Sequence, residues 1–231
     1  MPTNLTVTHP SDHGRKKNLI IISAGKFGRE AFVWATQAIT HGAPLKIKGF
    51  LDNRRDALDG YHYEPRIIGS VEDYVIEKDD LFIGAIGDPG EKIKYYTPII
   101  ERGGKFTNLI HPLANVGLNV QLGTGIILGP FTCLSCDIKI GDHVAFGAFS
   151  SAGHDTVIGA WSQISIRCGI TGLASLGEGV FLGSHACIIP NIKVGAWAFV
   201  GAGSVVIRDV QPGTKVFGNP ATSIGGLGSG R

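Results

Sequence analysis

The second half of the chain repeats with a period of six residues. From Val116 to Val206 every sixth residue is apolar, sixteen times in succession without a shift in register. The residue that follows is glycine in eleven of the sixteen repeats, and the fifth residue of each repeat is small or β-branched. Neither a helical period nor the alternation of a strand produces this pattern. A fixed short period predicts stacked, nearly identical turns of chain, in which each repeat buries its apolar side chain against its neighbours.

The chain before the repeat has the pattern of an α/β sheet. Residues 18–22 predict a buried strand, residues 23–28 a glycine-containing turn, and residues 29–40 an amphipathic helix. Strand, glycine turn and helix together form the first βα unit of a nucleotide-binding sheet. Two further strands are predicted at Leu45–Leu51 and Leu81–Ile86, and then a helix with one apolar side formed by Ile93, Tyr96, Ile99 and Ile100.

The glycine turn fits a nucleotide-binding fingerprint only in part. Ser23 stands where G-x-G-x-x-G has its first glycine, so only Gly25 and Gly28 match, and a purely structural turn explains them equally well. Backbone N–H groups at the start of the helix would form an anion site in either case. Asp52, 27 residues after Gly25, lies where such folds bind a ribose hydroxyl.

Composition narrows the class of partner. The chain is 43% hydrophobic and 17% charged, with a net charge of +2 and no block of like charge beyond residues 15–17, which disfavours nucleic acid and anionic membranes. The apolar runs are short, so we expect no signal peptide, no membrane span and a cytoplasmic protein. Cys133 and Cys136 form a single CxxC without a second one, so ordinary reduced cysteines and no metal site are predicted.

Six motifs carry a family resemblance over residues 18–221. They are AGKFGRE (24–30), GFLD (49–52), IGAIGD (83–88), LIHP (109–112), GHDTVIG (153–159) and GNPA (218–221). With them the chain resembles bacterial hexapeptide-repeat sugar acyltransferases, namely the sialic acid O-acetyltransferases and the N-acetyltransferases of nucleotide-linked 4-amino sugars such as bacillosamine and perosamine precursors.

The resemblance implies an α/β Rossmann-like N-terminal domain followed by a left-handed parallel β-helix with three repeats, hence eighteen residues, in each turn. Four segments are then expected: a flexible segment at 1–17, a nucleotide- or sugar-binding domain at 18–105, the β-helix acyltransferase domain at 106–221 and a flexible tail at 222–231. Gly103 and Gly104 mark a plausible linker.

The resemblance also implies an activity, the transfer of acetyl from acetyl-CoA to an amine or hydroxyl of a nucleotide-linked amino sugar or a sialic-acid-like sugar. His154 would be the general base for direct attack, and Asp155 would raise its basicity. The register supports this independently, because the third and fourth repeat positions are not the inward ones and the imidazole should therefore face outward. A histidine packed in the core is the alternative. Gly172, one turn above, leaves space and a backbone N–H as a candidate oxyanion donor.

The remaining site residues come from the resemblance alone. Acetyl-CoA is expected to contact Gln163, Gly172, Ser184 and Ala202. The acceptor is expected to contact Gly25, Lys26, Phe27, Asp52, Asn53 and Gly87. The family assembles as a homotrimer with its active sites between neighbouring prisms.

Three departures and two alternatives qualify these expectations. Gln163 replaces a second histidine that contacts the donor in many relatives, Phe27 is closer to the sialic acid enzymes, and Thr222 replaces a basic residue. A γ-class carbonic anhydrase would bind zinc through histidines such as His143, His154 and His185, but these fall on three different faces of an eighteen-residue turn. A non-catalytic scaffold or binding protein is the other alternative.

Overall fold

The computed structural model describes residues 16–224. Residues 1–15 and 225–231, which make up most of the two segments predicted to be flexible, lie outside the described residues. The described part of those segments includes Lys17, where the first strand begins, and Thr222 and Ser223, which belong to the last strand. Neither helix between residues 16 and 224 has the length and apolarity needed to cross a membrane.

The N-terminal unit is a parallel five-stranded sheet with strand order β3-β2-β1-β4-β5. Its elements are β1 (Lys17–Ile22), α1 (Lys26–Thr40), β2 (Leu45–Leu51), β3 (Ile67–Gly69), β4 (Asp80–Gly84), α2 (Pro89–Glu101) and β5 (Lys105–Phe106). The sequence predicted β1, α1, β2, β4 and α2 to within a few residues. It gave no signal for β3 and β5, because strands of three and two residues are too short to show a pattern.

The two helices cover opposite faces of this sheet. Alternate residues of β1 point to opposite faces, so Leu19 and Ile21 pack in the cluster that contains α1, while Ile20 and Ile22 pack with Tyr96 and Ile99 of α2. A strand that is buried on both faces reads as a continuous apolar run, which is why residues 18–22 stood out in the sequence.

The buried face of α2 differs from the prediction. Ile100 is 41% exposed, whereas Lys92 is fully buried together with Tyr96 and Ile99. The helix packs against the C-terminal unit as well as against its own sheet, so a polar side chain with partners there replaces the apolar side chain expected from periodicity.

The C-terminal unit is a parallel β-solenoid, as the six-residue period predicted, and it has three sheets, as the family resemblance implied. Sheet S1 contains β7 (Asn115–Val116), β10 (Cys133–Leu134), β13 (Ser151–Ala152), β16 (Gly169–Ile170), β19 (Cys187–Ile188) and β22 (Val205–Val206). Sheet S2 contains β8 (Gln121–Leu122), β11 (Lys139–Ile140), β14 (Val157–Ile158), β17 (Ser175–Leu176) and β20 (Lys193–Val194). Sheet S3 contains β6 (Leu109–Ile110), β9 (Ile127–Leu128), β12 (Ala145–Phe146), β15 (Gln163–Ile164), β18 (Phe181–Leu182), β21 (Phe199–Val200), β23 (Lys215–Gly218) and β24 (Ala221–Ser223), the last antiparallel.

Residues eighteen apart lie above one another. Leu134 pairs with Val116 below it and with Ala152 above it, and the same register continues through S1 to Val206. The apolar first positions form one continuous core. Val116 is the exception, with 37% exposure, because β7 is the end strand of S1 and no further strand of that sheet covers it.

Every turn between strands uses the same backbone geometry. The fourth repeat position has φ between 57° and 73° at fifteen consecutive sites from Asn119 to Gly203, whether it is glycine or not. The bond from Thr132 N–H to Gly129 O (3.3 Å) closes one such turn from the second to the fifth position. A left-handed third residue in a four-residue turn is typical of type II geometry.

These turns form three corners of the prism. Corner 1 joins S1 to S2 and includes residues 154–155 and 172–173, corner 2 joins S2 to S3 and includes 142–143 and 160–161, and corner 3 joins S3 to S1 and includes 166–167, 184–185 and 202–203.

The N-terminal unit packs on S3 and corner 2. Trp34 of α1 packs in one cluster with Leu109, Ile127 and Ala145, the outward residues of S3. His111 Nε2 lies 2.7 Å from the Gln37 side-chain oxygen, and its Nδ1 accepts the N–H of Leu113, so Nε2 is the protonated nitrogen.

Candidate active site

His154 and Asp155 form an exposed pair on corner 1. His154 Nδ1 lies 2.8 Å from Asp155 Oδ2, and the two side chains are 58% and 53% exposed. Asp155 has φ 57°, and this left-handed turn lets two adjacent residues present their side chains to each other. The contact fixes the imidazole tautomer with the proton on Nδ1, so Nε2 is left as a base. The outward orientation predicted from the register is therefore present.

Gly172 lies directly above the imidazole. A Cβ built on Gly172 would lie 2.5 Å from His154 Nε2, closer than real Cβ contacts, so only glycine leaves the ring in this position. The backbone N–H of Gly172 donates to no acceptor within residues 16–224 and is available to a ligand beside Nε2.

Below the pair, one turn down, lie Cys136 and Asp137. Asp137 accepts a bond from Asn119 Nδ2 at 2.9 Å. Hydrogen bonds from Asn119 and from the Cys136 thiol lower the pKa of Asp137. The hydrogen bond to Asp137 raises the pKa of Cys136, which keeps the sulfur as a thiol and a weak nucleophile.

The expected acceptor residues gather at the carboxyl end of the N-terminal sheet. Ala24 N–H donates to Asp52 Oδ2 at 2.9 Å, which joins the turn after β1 to the end of β2. Gly28 is required for that turn, since a Cβ there would lie 2.0 Å from Ser23 O. Gly87 follows β4 on the other side of β1, and a Cβ there would meet open space. In parallel sheets, ligands bind at this end, where the strand order reverses.

Asp52 is held by Arg54. The Arg54 Nε and Nη2 atoms donate to the two carboxylate oxygens at 3.1 and 2.9 Å, and the Arg54 backbone N–H donates at 2.9 Å. Burial alone would raise the pKa of Asp52, but the bonds from Arg54 and Ala24 lower it, so the carboxylate stays ionised. Asp52 is 8% exposed, whereas the Arg54 side chain is 64% exposed and faces solvent beside Gly25. Arg54 belongs to none of the sequence motifs, and its position two residues after Asp52 in a turn is the one sequence signal for this contact.

The other acceptor candidates differ in exposure. Lys26 and Asn53 are exposed, and the Asn53 amide lies 3.4 Å from Glu72. Phe27 is half-buried and meets Trp34 edge to face at 5.9 Å between ring centroids. Phe27 therefore packs within α1 at the start of the helix, with part of its ring accessible to solvent.

The expected donor contacts lie at three different places in one chain. Gly172 is beside His154 on corner 1, whereas Ser184 and Ala202 are stacked on corner 3, where Gly203 N–H donates to Ser184 O at 2.8 Å. The N–H groups of Ser184 and Ala202 find no acceptor within residues 16–224, so this corner offers free amides to an extended amide-containing chain. Gln163 lies on S3, 6% exposed, and its Oε1 is buried without a partner in the described chain.

The three histidines of the zinc alternative are also separated. His143 on corner 2 is buried and stacks on Trp161 at 4.3 Å between ring centroids, while His154 and His185 are exposed on corners 1 and 3. Between residues 16 and 224, no group of three or more histidine, cysteine or acidic side chains is arranged to hold a metal ion.

Comparisons with known proteins agree with this architecture. No family model matches the chain. Among curated sequences, serine acetyltransferase 3 of Arabidopsis thaliana is 39% identical over 106 residues, and serine acetyltransferase of Escherichia coli strain K12 is 36% identical over 118 residues. These matches cover 46% and 50% of this chain but only 25% and 37% of those proteins, so the chain spans well under half the length of the curated relatives it matches.

Solved structures match over nearly the whole chain. The acetyltransferase domain of PglB from Neisseria gonorrhoeae aligns with a TM-score of 0.82 and 26% identity, covering 90% of this chain and 100% of that domain. PerB from Caulobacter crescentus, solved with CoA and GDP-perosamine, aligns with a TM-score of 0.79 and 26% identity, covering 90% and 97%. The resemblance predicted from the motifs is confirmed.

Proposed function

We propose that this chain is an acetyl-CoA-dependent sugar acetyltransferase whose general base is His154. One observation carries the proposal: an imidazole with its Nδ1 bound to Asp155 at 2.8 Å and its Nε2 free beside Gly172, on a chain that aligns over 90% of its length with a solved acetyltransferase domain. The acceptor is a nucleotide-linked amino sugar or a sialic-acid-like sugar. The PglB domain has also been solved with acetyl-CoA, which supports the donor.

The reaction needs little covalent chemistry from the protein, because a thioester is already activated. The acceptor nitrogen or oxygen attacks the acetyl carbon while His154 Nε2 takes its proton, and Asp155 stabilises the imidazolium. The tetrahedral intermediate places a negative charge on the former carbonyl oxygen, to which the Gly172 N–H donates. The C–S bond then breaks as His154 returns its proton to the sulfur, and CoA leaves as the free thiol. Cys136, the nearest thiol, is held protonated by Asp137, which favours direct transfer over an acyl-enzyme.

The proposal extends to the handedness of the solenoid and to the topology of the N-terminal unit. We assign the solenoid a left-handed winding over residues 106–221 and the N-terminal unit over 18–105 a Rossmann-like topology. The eighteen-residue turn, the strand order β3-β2-β1-β4-β5 and the TM-score of 0.82 support both assignments.

The two substrates occupy different units. The carboxyl end of the N-terminal sheet receives the nucleotide or sugar, with Arg54, Lys26 and the start of α1 facing its anionic part. Corner 3 receives the donor along Ser184 and Ala202. Because His154 lies on corner 1, one chain alone does not bring the base to the donor, and a homotrimer completes each site between neighbouring copies.

The distribution of exposed apolar side chains supports this assembly. Corners 1 and 3 of the solenoid carry large apolar residues that are 44–74% exposed, namely Leu113, Leu118, Phe131, Phe149, Ile166 and Leu173. Corner 2 carries one comparable residue, Trp197, at 43% exposure. Six apolar side chains on the two corners that flank S1, against one on corner 2, indicate a protein–protein interface.

Release of CoA thiol tests the activity. The protein would be incubated with acetyl-CoA and a panel of nucleotide-linked amino sugars and free nonulosonic acids. Acceptor-dependent thiol release is expected. His154→Asn should lower turnover by ~10² to 10⁴ because general-base catalysis is lost. His41→Asn, a change at an exposed histidine at the end of α1, should leave turnover unchanged. Acetyl-CoA binding without thiol release for any acceptor would favour a binding protein over an enzyme.

A further inference from the structure

Corner 3 carries an exposed cation with no charged partner in the described chain. Arg167 occupies the fourth position of its repeat, with φ 58°, and its guanidinium lies 5.5 Å from the ring of Phe149. Phe149 in turn stacks on Phe131 with 4.8 Å between ring centroids. Within residues 16–224 the guanidinium has no ion pair and no hydrogen bond, so the stacked rings hold it in place without neutralising it.

The two corners differ in charge at the level of the histidine. Corner 1 carries Asp137 and Asp155 at successive turns, with Arg208 and Asp209 further up the same corner, and corner 3 carries Arg167. Both corners flank sheet S1, whose outward residues between them are small, with Ser151 and Gly169 at the level of the histidine. A flat face of small residues between an acidic and a basic corner is complementary to a second copy of the same chain, with corner 1 of one copy against corner 3 of the next. Contacts of this heterologous kind close into a ring when the rotation between copies closes, as it does after three copies of a triangular prism related by 120°.

The heights of the charged groups also match. Arg167 follows Asp155 by twelve residues, two thirds of an eighteen-residue turn, so it lies ~3 Å further along the solenoid axis at strand spacing. In a ring whose axis is parallel to the solenoids, Arg167 of one copy therefore lies at the level between Asp155 and Leu173 of its neighbour.

Asp155 has an oxygen available for this contact. Its Oδ2 binds His154 Nδ1, while no described residue donates to Oδ1. We infer that Arg167 of one copy pairs with Asp155 of the neighbouring copy, holding the carboxylate that orients His154. Arg167 is then a positioning residue supplied in trans. The inference rests on the proposed function for the role of His154, but its geometry does not depend on activity.

Chemical cross-linking tests the geometry without any substrate. In a background with Cys133, Cys136 and Cys187 changed to serine, Asp155→Cys combined with Arg167→Cys should give covalent dimers and trimers on a denaturing gel after treatment with a short bismaleimide. Its span suits the Cα separation of an arginine–carboxylate pair, which is longer than a disulfide allows. Each single change should not. The matched control combines Glu178→Cys, an exposed acid on corner 2, with Arg167→Cys, and should stay uncross-linked. A double variant that remains uncross-linked, or a parent protein that is monomeric in solution, would overturn the inference.

Mixed oligomers test the role. His154→Ala and Arg167→Glu, each inactive or strongly impaired alone, should regain activity when the two chains are unfolded, mixed and reassembled. One interface in about four then joins an intact His154 to an intact Arg167 of the other chain, if mixing is random. No recovery means that both residues act within one chain. In the homogeneous enzyme, Arg167→Gln should lower kcat while KM for acetyl-CoA stays near the parent value, and Arg167→Lys should restore kcat. A parent protein without thiol release would refute the proposed function and leave the cross-linking result intact.

Discussion

The ammonium of Lys92 lies 2.9 Å from the carbonyl oxygen of Ser162, seventy residues further along the chain. It also lies 3.2 Å from His143 O and 3.3 Å from Trp161 O, so its three protons face three backbone acceptors at corner 2. Lys92 is fully buried in the first half of α2, the helix that follows the proposed acceptor residue Gly87. One side chain thus adds three hydrogen bonds to the packing of α1 on S3 that joins the N-terminal unit to the solenoid.

Lys92→Met should destabilise the protein by roughly 1–3 kcal/mol, because His143 O and Trp161 O lose their donor, while Ser162 O keeps only the N–H of Ala145. Chemical denaturation measures the change. Lys94→Met on the same helix is the control, since Lys94 makes an exposed pair with Glu91 and lies over the Tyr95 ring, and such surface contacts contribute little. Equal stability of the two variants would show that solvent replaces the lysine at no cost.

The sequence predicted the register of the solenoid because an apolar residue recurs at every sixth position. The same register predicted that the side chain of His154 faces outward. It did not predict the left-handed turn position, since residues there range from Asn119 to Phe149 and Trp197 and share a backbone conformation, not a side-chain type. Lys92 was also missed, because a lysine on an amphipathic helix normally indicates the solvent face. Only the packing of two units shows that backbone acceptors lie opposite it.

Asp52 and Arg54 should act as one unit on the acceptor. Asp52→Ala removes the acceptor of four hydrogen bonds and releases Arg54, so both Asp52→Ala and Arg54→Met should raise KM for the acceptor with little change in the affinity for acetyl-CoA. The free energy of acceptor binding should fall by ~0.5–1.5 kcal/mol if the lost hydrogen bond joined neutral groups, and by about 3 kcal/mol if one group was charged. Steady-state kinetics with each substrate varied in turn measures both effects.

The same kinetics also test whether Asp52 and Arg54 belong to the acceptor site. Glu64→Ala is the control, because Glu64 forms an exposed pair with Arg66 away from the glycine turn. If Asp52→Ala and Arg54→Met leave acceptor saturation at the parent value, neither residue belongs to the acceptor site and the Asp52–Arg54 contact is structural.

His143 should make stability depend on pH in the acidic range. Burial lowers the pKa of His143 to about 4, with a further contribution from Lys92, and Asp142 offsets part of this. The unfolded chain binds the proton near pH ~6.5. Between those values the unfolded state holds more protons than the folded state, so the free energy of unfolding falls as pH falls from ~6.5 toward 4.

His143→Gln should flatten that slope, measured by urea denaturation at several pH values in the window. The exposed change His41→Gln should keep the parent slope. A His143→Gln protein with the slope of the parent would mean that other groups cause the acid sensitivity.

Gly172→Ala tests the geometry of the base more finely than removal of the base itself. The new Cβ would lie 2.5 Å from His154 Nε2, and the ring, being the end of a side chain on an exposed corner, can turn away without unfolding the coil. Turnover should fall by at least tenfold as Nε2 leaves the position from which it takes the proton. Thermal stability should remain near the parent value.

Gly69→Ala is the matched control, because its Cβ would meet its nearest neighbour at an ordinary 3.8 Å. If Gly172→Ala retains full turnover, the space above Nε2 is not where the acceptor and the thioester meet, and the proton must leave by another route.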